Sequence, residues 1–140
     1  ISSNKTFISW ILKVKSNIDN GSFRGIQLAA AEAMTVNSDE WHRENNIVNY
    51  RRRRDIAEQI MDVMGCTYDP KQVGMFLWGK IPERYADVED LTEKVLHEAR
   101  VFITPGFIFG SNGKRYVRIS LCAKDDKMKE ALQRIKKLFA

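Results

Sequence analysis

The chain has 140 residues, 44% of them hydrophobic and 29% charged, with 23 basic against 18 acidic side chains and a net charge of +5. This is one ordinary domain with enough apolar material for a core, which excludes a disordered chain. No run of about 18 apolar residues is present, which excludes a helix crossing a membrane, and the opening residues lack a secretion signal and read as mid-protein sequence.

The predicted elements begin with Phe7, Trp10, Ile11, Val14 and Ile18 at helical spacing. Asp19-Asn20-Gly21-Ser22 breaks that pattern, and Phe23, Ile26, Ala30, Ala33 and Met34 resume it. The first stretch therefore reads as a long or kinked helix, or two helices with a sharp joint. A further long helix is expected after Ser38, an N-cap followed by Asp39 and Glu40. Its buried stripe is Ile47, Tyr50, Ala57, Ile60, Met61 and Met64, and Gly65 stops it.

Near Tyr68-Asp69-Pro70 the character changes to alternating strands and helices. Val73–Ile81 reads as a first strand, ended by Pro82. Asp87 caps a helix whose apolar residues are Val88, Leu91, Val95, Leu96 and Ala99. Val101–Ile103 reads as a second strand and Tyr116–Cys122 as a third. A last helix from Asp125 carries Met128, Leu132, Ile135, Leu138 and Phe139 on one face. The expected fold class is α+β: a two-layer sandwich of a small three- to four-stranded sheet covered by helices, after a long or kinked N-terminal helix. Residues 73–103 form a strand-helix-strand unit suited to a right-handed crossover with parallel strands.

Arg51–Arg54, four consecutive arginines, raise the possibility of a small basic nucleic-acid-binding module. Consecutive helical residues point about 100° apart, so they ring the helix, within reach of Glu40, Glu44, Asp55 and Glu58. A solvated or subunit-contacting helix is the plainer reading. Cys66 and Cys122 stand in unlike contexts, which suggests reduced, buried structural thiols and no disulfide framework. His42 and His97 each stand alone on a charged helical surface, so no metal site is expected.

Along Tyr116–Cys122 the residues alternate. Val117, Ile119 and Leu121 share the face that must meet the helices. Tyr116, Arg118, Ser120 and Cys122 share the other. A mid-strand arginine is expensive to place unless something accepts its charge. It is solvated, or paired with an internal acid, or grips an anion from elsewhere, for which its planar fork suits a carboxylate. The preceding loop, residues 104–113, mixes three glycines with Phe107, Ile108 and Phe109, which need a partner surface. Gly113-Lys114 does not complete a phosphate-binding loop, because Ile108 and Arg115 stand where that motif needs Gly and Ser or Thr.

Val101-Phe102-Ile103-Thr104-Pro105-Gly106, then Phe109-Gly110, Gly113 and Tyr116-Val117-Arg118-Ile119-Ser120, resembles the C-terminal signature of class I/II aminotransferases of the aspartate aminotransferase superfamily (fold type I). Ser16–Gly21 with Phe23 and Gln27 is similar to that family's exit from its cofactor domain. Gly74-Met75-Phe76-Leu77-Trp78 is similar to the first strand of its small domain, so the resemblance spans essentially the whole chain. It implies residues 1–36 as connecting helices from a cofactor domain and 37–140 as the small substrate-carboxylate-binding domain. It implies Arg118 as the receptor of the substrate α-carboxylate, with Gly106, Phe107, Phe109 and Phe23 as active-site lining. It further implies transamination between amino acids and 2-oxo acids through pyridoxal phosphate, in the cytoplasm, within a homodimer serving amino-acid metabolism. No lysine here lies in the family's Schiff-base context, so these residues alone are expected to bind no cofactor and to be inactive. A related fold-type-I lyase or decarboxylase is the alternative within the same class.

Overall fold

The computed structural model describes residues 4–18, 23–35 and 39–140. Two compact units are present, Ile1–His42 and Arg43–Ala140. The first contains α1 (Lys5–Ile18), α2 (Arg24–Thr35) and the single turn α3 (Asp39–Trp41). Asn4 starts α1, its side-chain oxygen accepting from the N–H groups of Thr6 and Phe7 at 3.0 and 3.2 Å. No described residue of α1 or α2 is buried. The break at residues 19–22 and the N-cap at Ser38 lie outside the described residues.

A π-helical stretch, His42–Ile47, leads into α4 (Val48–Met64). Ile56, Ala57, Ile60, Met61 and Met64 form the buried stripe of α4. Tyr50 packs against the core, but Ile47 is exposed, contrary to expectation: the π-helical turn interrupts the 3.6-residue period that would have aimed it inward. Gly65 ends α4 in the left-handed region at φ 76°, and its N–H and that of Cys66 return to the carbonyls of Asp62 and Met61.

The sheet consists of β1 (Phe76–Lys80), β2 (Thr104–Pro105) and β3 (Tyr116–Ser120) in the order β1-β3-β2. Both outer strands run antiparallel to β3, so β1 and β2 point the same way but do not pair. The expected parallel pair is thus split by a strand that arrives later in sequence. The strands are also shorter than expected. Val73 is exposed and Gly74 has φ 97°, which delays β1. Helix α5 (Val88–Ala99) is capped by Arg100 in the left-handed region at φ 57°, and the chain meets β3 only at Thr104, opposite Arg118. Cys122 has left β3 for a turn, its N–H held by the Ser120 hydroxyl. The Gln72 side-chain amide bonds both the N–H and the carbonyl of Trp78, at 2.8 and 3.1 Å, which ties residue 72 to β1.

Helix α5 begins in the expected manner. Asp87 accepts from the N–H groups of Glu89 and Asp90, while the Asp90 carboxylate accepts from the Asp87 N–H, a reciprocal capping box. Helix α6 (Asp125–Phe139) buries Met128, Leu132 and Ile135. These helices and α4 enclose one core with Leu77, Val117, Ile119 and Leu121 from the sheet. The result is a helix layer on one face of a small sheet, the α+β sandwich expected from the sequence.

The arginine block joins helices in sequence-distant positions. Arg52 and Arg53 both donate to Asp125, at 3.2 and 2.8 Å, and Arg53 also reaches the Leu121 carbonyl. Arg54 pairs with Glu58 and donates to the carbonyls of Pro70 and Gln72. Of the acids expected to pair with this block, Glu58 does so. The other partner, Asp125, lies more than 70 residues away, beyond any helical spacing rule. The Arg53 guanidinium beside Asp125 holds that carboxyl below its ordinary range.

Candidate carboxylate-binding site

Beta-strand alternation delivers the outer sheet face. Phe76, Trp78 and Lys80 of β1 stand opposite Ser120, Arg118 and Tyr116 of β3. These are the residues whose sequence neighbours, Leu77, Gly79, Val117 and Ile119, face the helices. Gly79 lies close beneath the Met61 side chain, so that a Cβ would stand 2.5 Å from the Met61 sulfur and the methionine would have to shift.

Arg118 is half-buried in the middle of this face. Its guanidinium carbon lies 4.3 Å from the Phe76 ring centre and 4.0 Å from that of Phe109. Each cation–π contact contributes about 0.5–2 kcal/mol, the more so when water is excluded. Trp78 meets Phe109 edge to face, with ring centres 5.4 Å apart. The Arg118 Nε is buried and has no hydrogen-bond partner among the described residues. A buried donor left unmade costs about 1–3 kcal/mol. Arg115, three residues earlier, shows the ordinary alternative: it donates to the carbonyls of Pro82, Tyr85 and Ala86 and pairs with Glu83. Of the three readings open for Arg118, solvation accounts at most for the Nη groups, because Nε is buried. Internal pairing fails, since no described carboxylate forms an ion pair with it. What the structure shows is a cation with a buried, unpartnered Nε and no acid paired with it among the described residues.

The backbone around Phe109 is fixed by two glycines. Phe109 sits in a 3-10 turn, Gly106–Phe109, followed by another at Ser111–Gly113. A Cβ on Gly106 would stand 2.5 Å from the Gly113 carbonyl oxygen and 2.6 Å from that of Tyr116, and one on Gly113 would run into the Gly106 carbonyl. The two turns touch backbone to backbone, which brings Phe109 back over Arg118. Beside the arginine a groove of about 260 Å³ is lined by Thr104, Arg118, Ser120 and Lys127 among apolar residues. Lys127 adds positive charge, although it also pairs with Glu130 at 3.2 Å.

Of the residues named from the sequence, the structure brings together Arg118, Gly106 and Phe109. Phe107 lines a separate hollow with Asp87, Glu89 and Lys114. Phe23 belongs to the first unit and is exposed there. In the sequence Phe76 and Trp78 read only as strand residues, yet Phe76 contacts Arg118 and Trp78 contacts Phe109. The period-2 alternation of β1 was the available signal, but it has meaning only once the register against β3 is known.

A pyridoxal phosphate site needs a lysine amine free to condense, an anion cradle for the phosphate and an acid for the pyridine nitrogen. The residues around Arg118 offer an anion receptor, but the lysine beside it is ion-paired and no carboxylate faces the groove. They do not by themselves fit that group. No cluster of metal-ligating side chains occurs among the described residues; His97 pairs with Glu93 at 2.9 Å, and the His42 ring lies against Trp41. No described helix is long and apolar enough to cross a membrane. Burial pushes the Cys66 thiol up to about 12, while Cys122 is exposed.

No family model matches the chain. It is 34% identical over 138 residues to the glutamate-pyruvate aminotransferase AlaC of Escherichia coli strain K12, covering 97% of this chain and 33% of that protein. It is 35% identical over 135 residues to an LL-diaminopimelate aminotransferase of Oleidesulfovibrio alaskensis, covering 96% and 34%. The aromatic aminotransferase of Pyrococcus horikoshii OT3 superposes with a TM-score of 0.76 at 28% identity, covering 93% of this chain and 35% of that one. The chain thus spans about a third of the length of the relatives it matches. With the ordered signature around Arg118 and the α+β fold, these similarities place the chain among the fold-type-I aminotransferases, as their C-terminal part.

Proposed function

We propose that this chain is the substrate-carboxylate-binding domain of an aminotransferase that moves an amino group between an amino acid and a 2-oxo acid. The observation that carries the reading is Arg118: a guanidinium in contact with two rings, with a buried unpaired Nε and no acid paired with it among the described residues. Its fork receives the α-carboxylate common to both substrate types. Two charge-assisted hydrogen bonds then fix the direction of the Cα–H bond, a positioning effect. Pyridoxal phosphate, when bound in the full-length enzyme, supplies the electron sink. Its lysine and phosphate contacts belong to residues outside this chain, so residues 1–140 alone are inactive. In this reading residues 1–36 connect to the cofactor domain and 37–140 form the small domain. Gly106 and Phe109 line the site around Arg118, and the full enzyme is a cytoplasmic homodimer of amino-acid metabolism.

The test is Arg118→Gln in the full-length protein. Loss of a bidentate charged contact should lower kcat/KM for amino-acid substrates by about 2–5 kcal/mol in transition-state stabilisation. Unchanged kinetics would remove Arg118 from the site.

A further inference from the structure

The stacking around Arg118 has a structure of its own. Phe76 is anchored in β1, opposite Ser120, with its ring centre 4.3 Å from the guanidinium carbon. The Phe109 ring centre lies 4.0 Å from the same carbon, on a turn whose backbone is set by the Gly106–Gly113 contact. Trp78, directly across from Arg118 in the strand pair, braces Phe109 edge to face from behind. An arginine side chain left free samples many rotamers, and immobilising one on ligand binding costs affinity. Here the plane of the fork is already set. Two rings lie within 4.3 Å of the guanidinium carbon and Nε is shut in, so the Nη groups are what is left to meet a ligand.

We propose that Phe76 and Phe109, with Trp78 behind Phe109, are positioning residues that hold the Arg118 fork in its receiving orientation before the carboxylate arrives. The inference rests on Arg118 as carboxylate receptor and adds what makes that receptor pre-organised. The rings touch the guanidinium and act through it, so they are not catalytic residues. The paired glycines act one step further back, since their contact places Phe109 and Phe109 in turn places the charge.

Propionate, a carboxylate without an amino group, is the probe, and its Kd for the full-length protein is measured by titration calorimetry. Phe76→Leu and Phe109→Leu keep apolar bulk but remove the ring face, and each should weaken propionate about 2- to 13-fold, the cost of immobilising one rotamer-rich side chain on binding. Phe109→Tyr retains the face and should stay within about twofold of wild type. Trp78→Phe should give a smaller weakening, and it serves as the reporter if a leucine variant does not fold. In an Arg118→Gln background, Phe109→Leu should have no further effect, because there is no fork left to hold. Propionate binding unchanged in the leucine and Trp78→Phe variants overturns the proposal. So does a Phe109→Leu loss that persists at full size in the Arg118→Gln background, which would mark the rings as merely structural. Failure of the underlying reading looks different: wild-type protein would not bind propionate, or Arg118→Gln would bind it as well as wild type.

Discussion

Leu77 and Trp78 are neighbours in β1, yet they meet opposite surroundings. Leu77 joins Val117 and Ile119 beneath the helices, where almost nothing is exposed. Trp78 stands with Phe76, Phe109 and Arg118 on the face the helices do not cover. One face is closed by apolar contacts and asks for no further partner. The other contains a charge whose Nε has no acceptor among the described residues, together with rings whose contacts are with that charge. In the proposed reading, stability and ligand recognition are divided between two sides of the same five-residue strands. A single-residue slip in register would exchange them.

Thiol chemistry gives the widest contrast. Cys66 lies under the closed side and its thiol is pushed up to about 12 by burial, whereas Cys122 is exposed beyond the end of β3. A disulfide reagent at pH 8 should modify Cys122 at once and Cys66 only on unfolding. Equal rates at both would show that the closed face is open to solvent. Next in size, Leu77→Ala should cost about 2–5 kcal/mol of stability by urea denaturation, through the cavity it leaves. Arg118→Gln, on the other face, should change the urea midpoint little or raise it, because it removes a charge that no described acid pairs. If the arginine variant proved the less stable of the two, the division of labour would be wrong. Gly113→Ala should cost about 1–3 kcal/mol, since the new methyl forces apart two backbone segments. It should also disturb the near-ultraviolet circular dichroism of the Trp78–Phe109 pair.

The smallest effect concerns the link between α4 and α6. Asp125 is held below its ordinary carboxyl range by the Arg53 hydrogen bond and the Arg52 charge. Depressed in the folded state, it contributes stability above its unfolded value, and that contribution disappears as pH falls through its folded value. Asp125→Asn should therefore lower the urea midpoint slightly at neutral pH. Wild type and variant should begin to converge as pH falls below about 4, the ordinary carboxyl value, and meet only below the depressed folded one. A difference that persists in acid would assign the effect to helix capping or packing.

Much of the fold was legible because its signals are local. The Asp87 capping box, the Gly65 stop, the 3.6-residue stripe of α6 and the alternation along β3 each depend on residues within a turn or two. The errors fall where distant residues decide. Strand β2 holds two residues because pairing begins only where Thr104 meets Arg118. Ile47 is exposed because a π-helical stretch shifts the helix phase. Arg52 and Arg53 found their acid more than 70 positions away, which no i,i+4 rule could reveal.

The amino-acid order alone determined the α+β class, the placement of Arg118 on the outer sheet face and, through the ordered signature at residues 101–120, the aminotransferase family. Those follow from periodicity and from a motif read along the chain. Tertiary structure decided which strand lies between which, and what stands around Arg118. Phe76 and Phe109 come to it from 42 residues before it and 9 before it. Such an arrangement depends on strand register and on two glycine backbones in contact, and neither is a property of any one segment.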